Sequence, residues 1–253
     1  MSPEERSLAT EDRLRKKTAR VARALEKSLG TPRQSSVLPS PLGMLVATIL
    51  SQNTNDKNSH RAYLSLRKEF SSWERAAAAP LRKLKAAIRT GGMANQKAPR
   101  IKNILHGTRE RYGKFDLSSL RTKSNDDAIA ELTEFPGVGA KTASCVLLFS
   151  LGRDVFPVDT HVHRICTRLG LVPSKGTPEK TFELMRKRVP RGKAYSFHTN
   201  LIRFGRRVCR STAPICGICP LYGECVYPER NLRTRKMNTT SANHDFMLLD
   251  NVT

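Results

Sequence analysis

The stretch Leu132-Thr133-Glu134-Phe135-Pro136-Gly137-Val138-Gly139-Ala140-Lys141-Thr142-Ala143 decides how the rest of the chain is read. One helix ends in it, a tight glycine turn follows, and a second helix begins near Ala140. Gly137 and Gly139 permit positive φ and carry no side chain, which leaves the backbone N–H groups unobstructed. Amides of that kind at a helix N-terminus form a ready anion site, and a phosphate fits it. Lys141 places an amine just inside the second helix, and Asp159 follows eighteen residues later. The stretch is expected to be a DNA-gripping hairpin that also carries a nucleophile.

Outward from the hairpin the chain reads as all-α. Apolar spacing and end signals predict helices over about 11–29, 42–50, 81–88, 97 onward, 140–151, 178–188 and 194–207, and no segment shows a convincing strand alternation. Ser71-Ser72-Trp73-Glu74 has the pattern of a capping box opening a short helix. Pro99 is expected in the first turn of its helix, because deeper inside it removes a hydrogen bond and clashes. Asp159 falls at the N-cap of the next helix, where capping alone explains an aspartate and is worth about 1 kcal/mol. The polar break Ser51-Gln52-Asn53-Thr54-Asn55-Asp56 offers side chains for base edges or phosphates, against the plain alternative of a loop capped by Asn55 or Asp56.

Forty-five Lys and Arg against 22 Asp and Glu leave a formal net charge of +23. Such a surface repels itself unless it works against a polyanion, and nucleic acid is the leading candidate. No apolar run approaches the length of a membrane span. With no signal-like apolar core near Met1, the expected location is intracellular and DNA-associated, in cytoplasm or nucleoid for a prokaryotic source. In a reducing compartment, six cysteines point to metal or redox chemistry more than to disulfides. Cys209, Cys216, Cys219 and Cys225 are separated by six, two and five residues, close enough to hold one metal centre. Structural zinc usually shows two close pairs, and here only Cys216 and Cys219 form one; the spacing leans toward a 4Fe-4S cluster without closing the choice. Cys145 and Cys166 fall on inner helix faces as core residues. The polar tail after Pro228 predicts no fold, and its Phe246-Met247-Leu248-Leu249 patch and Asn-X-Thr triplets at Asn238 and Asn251 carry little.

Taken together, these segments resemble the helix-hairpin-helix DNA glycosylases, and within them the endonuclease III group, over residues 12–228. The hairpin matches in sequence, with Lys141 in the family's nucleophile position. Val158-Asp159-Thr160-His161 is similar to the segment carrying the catalytic aspartate, and the cysteine spacing to the family's 4Fe-4S loop. Leu50-Ser51-Gln52 resembles the stretch whose glutamine fills the gap left by a flipped nucleotide, and Gly92-Met93-Ala94-Asn95 a second intercalating loop. Met93-Ala94 and Pro99 depart from the family pattern.

The resemblance implies two helical domains with a cleft between them: 33–153 with the helix-hairpin-helix, and 1–32 plus 154–228 with the cluster; the polar composition of 229–253, which has no counterpart in the family, predicts a disordered tail. The resemblance further implies a bifunctional DNA glycosylase/AP lyase that excises damaged bases, with oxidised pyrimidines expected, by base flipping, Schiff-base formation at Lys141 and β-elimination. Lys141 and Asp159 are then catalytic, and Gln52, Asn53, Met93, Gly137, Val138 and Gly139 contact DNA. Cys209, Cys216, Cys219 and Cys225 hold the cluster. The partner is double-stranded DNA with damaged bases or abasic sites, met by a monomer. The alternatives are a monofunctional mismatch or adenine-type glycosylase and a non-enzymatic DNA-binding protein.

Overall fold

The computed structural model describes residues 2–230, and every regular element among them is helical. The expectations for the tail beyond Arg230 lie outside the described residues. These fall into two compact units, one formed by 34–153 and the other by 2–33 together with 154–230. No helix among the described residues is long and apolar enough to cross a membrane.

In the 34–153 unit the chain builds α2 (Pro41–Ser51), α3 (Asp56–Glu69), α4 (Trp73–Ala78), α5 (Leu81–Ala87), α6 (Ala94–Tyr112), α7 (Asn125–Thr133) and α8 (Ala140–Leu151). The central helix is α2. Its residues from Pro41 to Leu50 are all buried, consistent with a sequence apolar on nearly every side. It packs against α3, α6 and α8. Ser40 caps it, accepting the Gly43 N–H at 3.2 Å. The loop at 51–56 begins where apolar residues run out, and Asn55 caps α3 by accepting the Asn58 N–H at 2.9 Å.

Two local expectations change. The helix after Ser71 starts one residue later than a Ser71–Glu74 capping box requires: Ser72 is the N-cap and accepts the N–H of Arg75, so the box does not form. Pro99 lies well inside α6. That helix begins at Ala94 because Met93, at φ 50°, turns the chain and offers its carbonyl to the N–H groups of Gln96 and Lys97 at 2.9 and 3.0 Å. Pro99 then has no N–H to donate to the carbonyl of Asn95, and one helical bond is missing.

The other unit contains α1 (Pro3–Leu29), α9 (Thr160–Arg168), α10 (Pro178–Arg188) and α11 (Ala194–Arg207), followed by the cysteine segment. Helix α1 starts earlier than its apolar stripe indicates because Ser2 and Glu5 form a reciprocal capping box. It packs on α10 and α11, and α9 packs on both of those helices. The buried Arg188 of α10 forms a two-pronged ion pair with Glu11 of α1, at 2.8 and 2.6 Å, and holds the Glu11 carboxyl below the usual carboxylate range.

Candidate active site

In the 34–153 unit, Leu132, Phe135 and Val138 are buried, whereas Pro136, Gly137 and Gly139 are exposed. The turn is closed by the Val138 N–H donating to the Phe135 carbonyl at 3.0 Å, with Pro136 and Gly137 at its central positions. Gly137 has φ 83°, the conformation glycine is needed for in such a turn. Gly139 does not use that freedom. It sits at φ −98°, ψ 178° as the N-cap of α8, in extended backbone open to any residue. What it contributes is absence of bulk: no heavy atom lies within 4 Å of where a Cβ would stand, and no side chain caps the first amides of α8. Val138 is buried, and its N–H is engaged within the turn. Lys141, second residue of α8, is partly exposed beside this helix start.

Gln52 reaches the hairpin directly. Its Nε2 donates to the Gly137 carbonyl at 3.3 Å, and its Oε1 accepts from Nη1 of Arg100 at 3.2 Å. Only this orientation of the amide satisfies both neighbours. Asn53 is exposed and left-handed at φ 51°, and Met93 is 42 % exposed at φ 50°. Left-handed non-glycine residues are uncommon and concentrate where function outweighs the strain. Two of the three among the described residues fall in the two loops named from sequence, and the third, Ala213, lies in the cysteine segment.

Sequence reasoning missed Lys97. It is 1 % exposed and donates to the carbonyls of Leu50 and Gly91, both at 2.8 Å. Burial pushes its pKa down to about 8. The signal was present in the sequence: Lys97 lies on the same helical stripe as the buried Ile101, Ile104, Leu105 and Thr108.

In the other unit, Asp159 is the N-cap of α9, its Oδ1 accepting the Val162 N–H at 2.8 Å. The carboxylate is partly exposed, and the chain enters it through the buried run Val155–Val158. The same helix holds the cysteine segment. Arg164 donates to the carbonyls of Gly205 and Cys209 at 3.1 and 3.0 Å. Arg168 donates to the carbonyls of Arg210 and Ser211, contacts Cys209 Sγ at 3.4 Å, and stacks on the Tyr227 ring at 4.3 Å. An arginine on the buried face of α9 was not anticipated either.

Cys209, Cys216, Cys219 and Cys225 are all partly buried, carry no disulfide, and line one concavity with Arg168, Ile215 and Tyr222. Burial pushes the Cys219 thiol up to about 11 and raises that of Cys209, where the Arg168 guanidinium opposes it. Among the described residues, no three His, Cys, Asp or Glu side chains converge as they would around a single ion. The four thiols lining this hollow are the donor set that a cysteine-ligated metal centre takes. The exposed Arg206 and Arg210 and the partly buried Arg207 flank this segment.

Comparison with known proteins decides the family. Residues 46–191 match the family model described as the HhH-GPD superfamily base excision DNA repair protein. The chain belongs to the HhH-GPD superfamily, in its endonuclease III group. Within that superfamily it is 35 % identical over 200 residues to endonuclease III of Thermotoga maritima, covering 79 % of this chain and 89 % of that one. A candidate DNA glycosylase of Arabidopsis thaliana is 38 % identical over 193 residues, 73 % of this chain and 66 % of the relative. Among solved structures, a non-covalent endonuclease III–DNA complex superposes with TM-score 0.73 and 26 % identity, over 84 % of this chain and 95 % of that one, and a trapped endonuclease III–DNA covalent intermediate matches to the same degree. An all-helical HhH-GPD chain with a net charge of +23 is a DNA-associated repair protein of the glycosylase class.

Proposed function

We propose that this chain is a bifunctional DNA glycosylase and AP lyase, with Lys141 as the nucleophile. The observation that carries the reading is the placement of Lys141: a partly exposed amine at the second position of α8, directly behind a turn whose exposed Gly137 and Gly139 carry no side chain. A DNA phosphate received by that turn brings a sugar within reach of the amine. A base stacked in duplex is unreachable, so the nucleotide first swings out, and damage that weakens stacking lowers the cost of this step. Neutral Lys141 attacks C1′, the C1′–N bond to the base breaks with its electron pair leaving on the base, and a proton is lost from nitrogen. Ring opening then gives the Schiff base, and loss of the C2′ proton expels the 3′ phosphate.

Asp159 supports this chemistry as a rigid carboxylate able to stabilise positive charge developing on the sugar. Gln52, Asn53 and Met93 occupy the space vacated by the flipped nucleotide. Cys209, Cys216, Cys219 and Cys225 would hold a 4Fe-4S cluster, which with four protein ligands acts structurally, keeping the basic segment around Arg206, Arg207 and Arg210 in shape for phosphates. Oxidised pyrimidines in double-stranded DNA are the proposed substrates, bound by a monomer. That a relative has been trapped covalently on DNA supports the amine chemistry.

The test is borohydride trapping on duplexes carrying an oxidised pyrimidine, a mismatch or an abasic site. The native chain is expected to give a covalent adduct and strand cleavage, and Lys141→Ala neither. Full trapping by Lys141→Ala would overturn the assignment. Base release without trapping by the native chain would make it monofunctional.

A further inference from the structure

We infer that Lys97 and Arg100, one turn apart on α6, are positioning residues that lock the Gln52 loop, the Met93 loop and the hairpin into one register, so that the two loops engage DNA as a coupled pair. The inference rests on the proposed DNA role of Gln52 and Met93 and adds how their action is coordinated.

Lys97 is the fixed point. Its ammonium bridges the carbonyl of Leu50, two residues before Gln52, and that of Gly91, two residues before Met93, at 2.8 Å each. The segments are pressed together there: a Cβ on Gly91 would stand 2.9 Å from the Ala62 Cβ and 4.0 Å from the Leu50 carbonyl oxygen. Both carbonyls close a helical segment, Leu50 in the last turn of α2 and Gly91 at the end of the short 3-10 turn Arg89–Gly91, and both oxygens, negative ends of their peptide dipoles, meet at the one ammonium. The cation between them ties the two segments together. No carboxylate pairs with Lys97 in an ion pair among the described residues, so its contacts are to backbone. A buried unpaired ammonium is costly, and an apolar side chain would fill the site without that cost but would leave the two loops untied.

Arg100 is the releasable part. Its Nη1 holds the Gln52 amide at 3.2 Å, and Gln52 in turn holds the Gly137 carbonyl at 3.3 Å. The Arg100 side chain lies against the hairpin: a Cβ on Gly137 would stand 2.9 Å from its Cδ. These bonds are longer and more exposed than those of Lys97, and therefore exchange readily with DNA contacts. Gln52 can leave while its backbone, pinned through Leu50 and Lys97, stays in place relative to Met93.

The test is a double-mutant cycle between Gln52→Ala and Met93→Ala. It is read as the ratio of affinities for a duplex with a tetrahydrofuran abasic analogue and for the intact duplex, with 2-aminopurine opposite the analogue reporting insertion. In the native background each substitution lowers the ratio, and the two losses are coupled by about fivefold or more. With Lys97→Met the coupling falls below about twofold. Should Lys97→Met fail to fold by circular dichroism, the cycle is run with Lys97→Gln, whose shorter side chain cannot bridge both carbonyls, and the coupling is expected to fall in the same way. Coupling that persists in the folded variant overturns the inference while leaving Gln52 and Met93 as DNA contacts. Single substitutions that leave the ratio unchanged overturn their DNA role and the inference with it.

Discussion

Replacing Gly137 by alanine, and separately Gly139 by alanine, sets two outwardly similar glycines against each other. At Gly137 the backbone has φ 83°, where a Cβ costs about 1–2 kcal/mol, and that Cβ would stand 2.9 Å from Arg100 Cδ. Arg100 has to shift, and its bond to Gln52 is lost or lengthened, for another ~0.5–1.5 kcal/mol. Alanine recovers ~0.4–1 kcal/mol by restricting the unfolded chain. The net expectation is a loss of about 2 kcal/mol, within a range of ~0.5–3 kcal/mol, read in urea unfolding as a lower midpoint at unchanged slope. At Gly139 the backbone is extended and no neighbour lies within 4 Å, so no strain arises. The poorer N-cap and the stiffer unfolded chain nearly cancel, leaving stability within ~0.5 kcal/mol of the native chain. Its effect falls on DNA, because the added methyl stands where a phosphate would approach the first amides of α8. Equal stability losses, or a larger loss at Gly139, would refute this account of the hairpin.

Asp159→Ala should cost ~1 kcal/mol through the lost cap of α9, whereas Asp159→Asn keeps the cap and should melt like the native chain while releasing bases slowly; equal melting of the two variants would remove the capping argument. The Glu11 carboxyl, held below its usual range by Arg188, has the pH sign of a stabilising acid: its contribution is complete above the unfolded carboxylate pKa and disappears as pH falls through the folded one. The stability gap between the native chain and Glu11→Gln should therefore close on going from about pH 7 to about pH 3, and a gap that widens would contradict the pairing. Serine at any of Cys209, Cys216, Cys219 or Cys225 should remove most bound iron and the brown visible absorbance, whereas serine at Cys166, a core thiol pushed up to about 12 by burial, should leave both.

How far the sequence could be read differs between backbone and side chains. Helix α8 and the capping position of Asp159 were legible to the residue, because Gly139, Gly152 and an aspartate ahead of an apolar stripe are local signals. The start of α6 was not, since a left-handed Met93 has no compositional signature and Pro99 falsely marked a first turn. Gly139 shows a related limit: a glycine in sequence declares a permission, and only the folded chain shows whether it is used. Lys97, Arg100, Arg164 and Arg168 were counted as part of a basic surface, yet they bind carbonyls and a side-chain amide from segments distant in the chain.

By itself the sequence determined the all-helical architecture, the hairpin with its amine, the capped aspartate and the four-cysteine spacing, because each is written in residues close along the chain. Tertiary structure alone decided that Gln52 rests on the hairpin, that Lys97 joins two loops across a buried gap, and that four cysteines ring one hollow. These depend on which carbonyls and side chains folding brings within about 3 Å, and no local pattern encodes that distance.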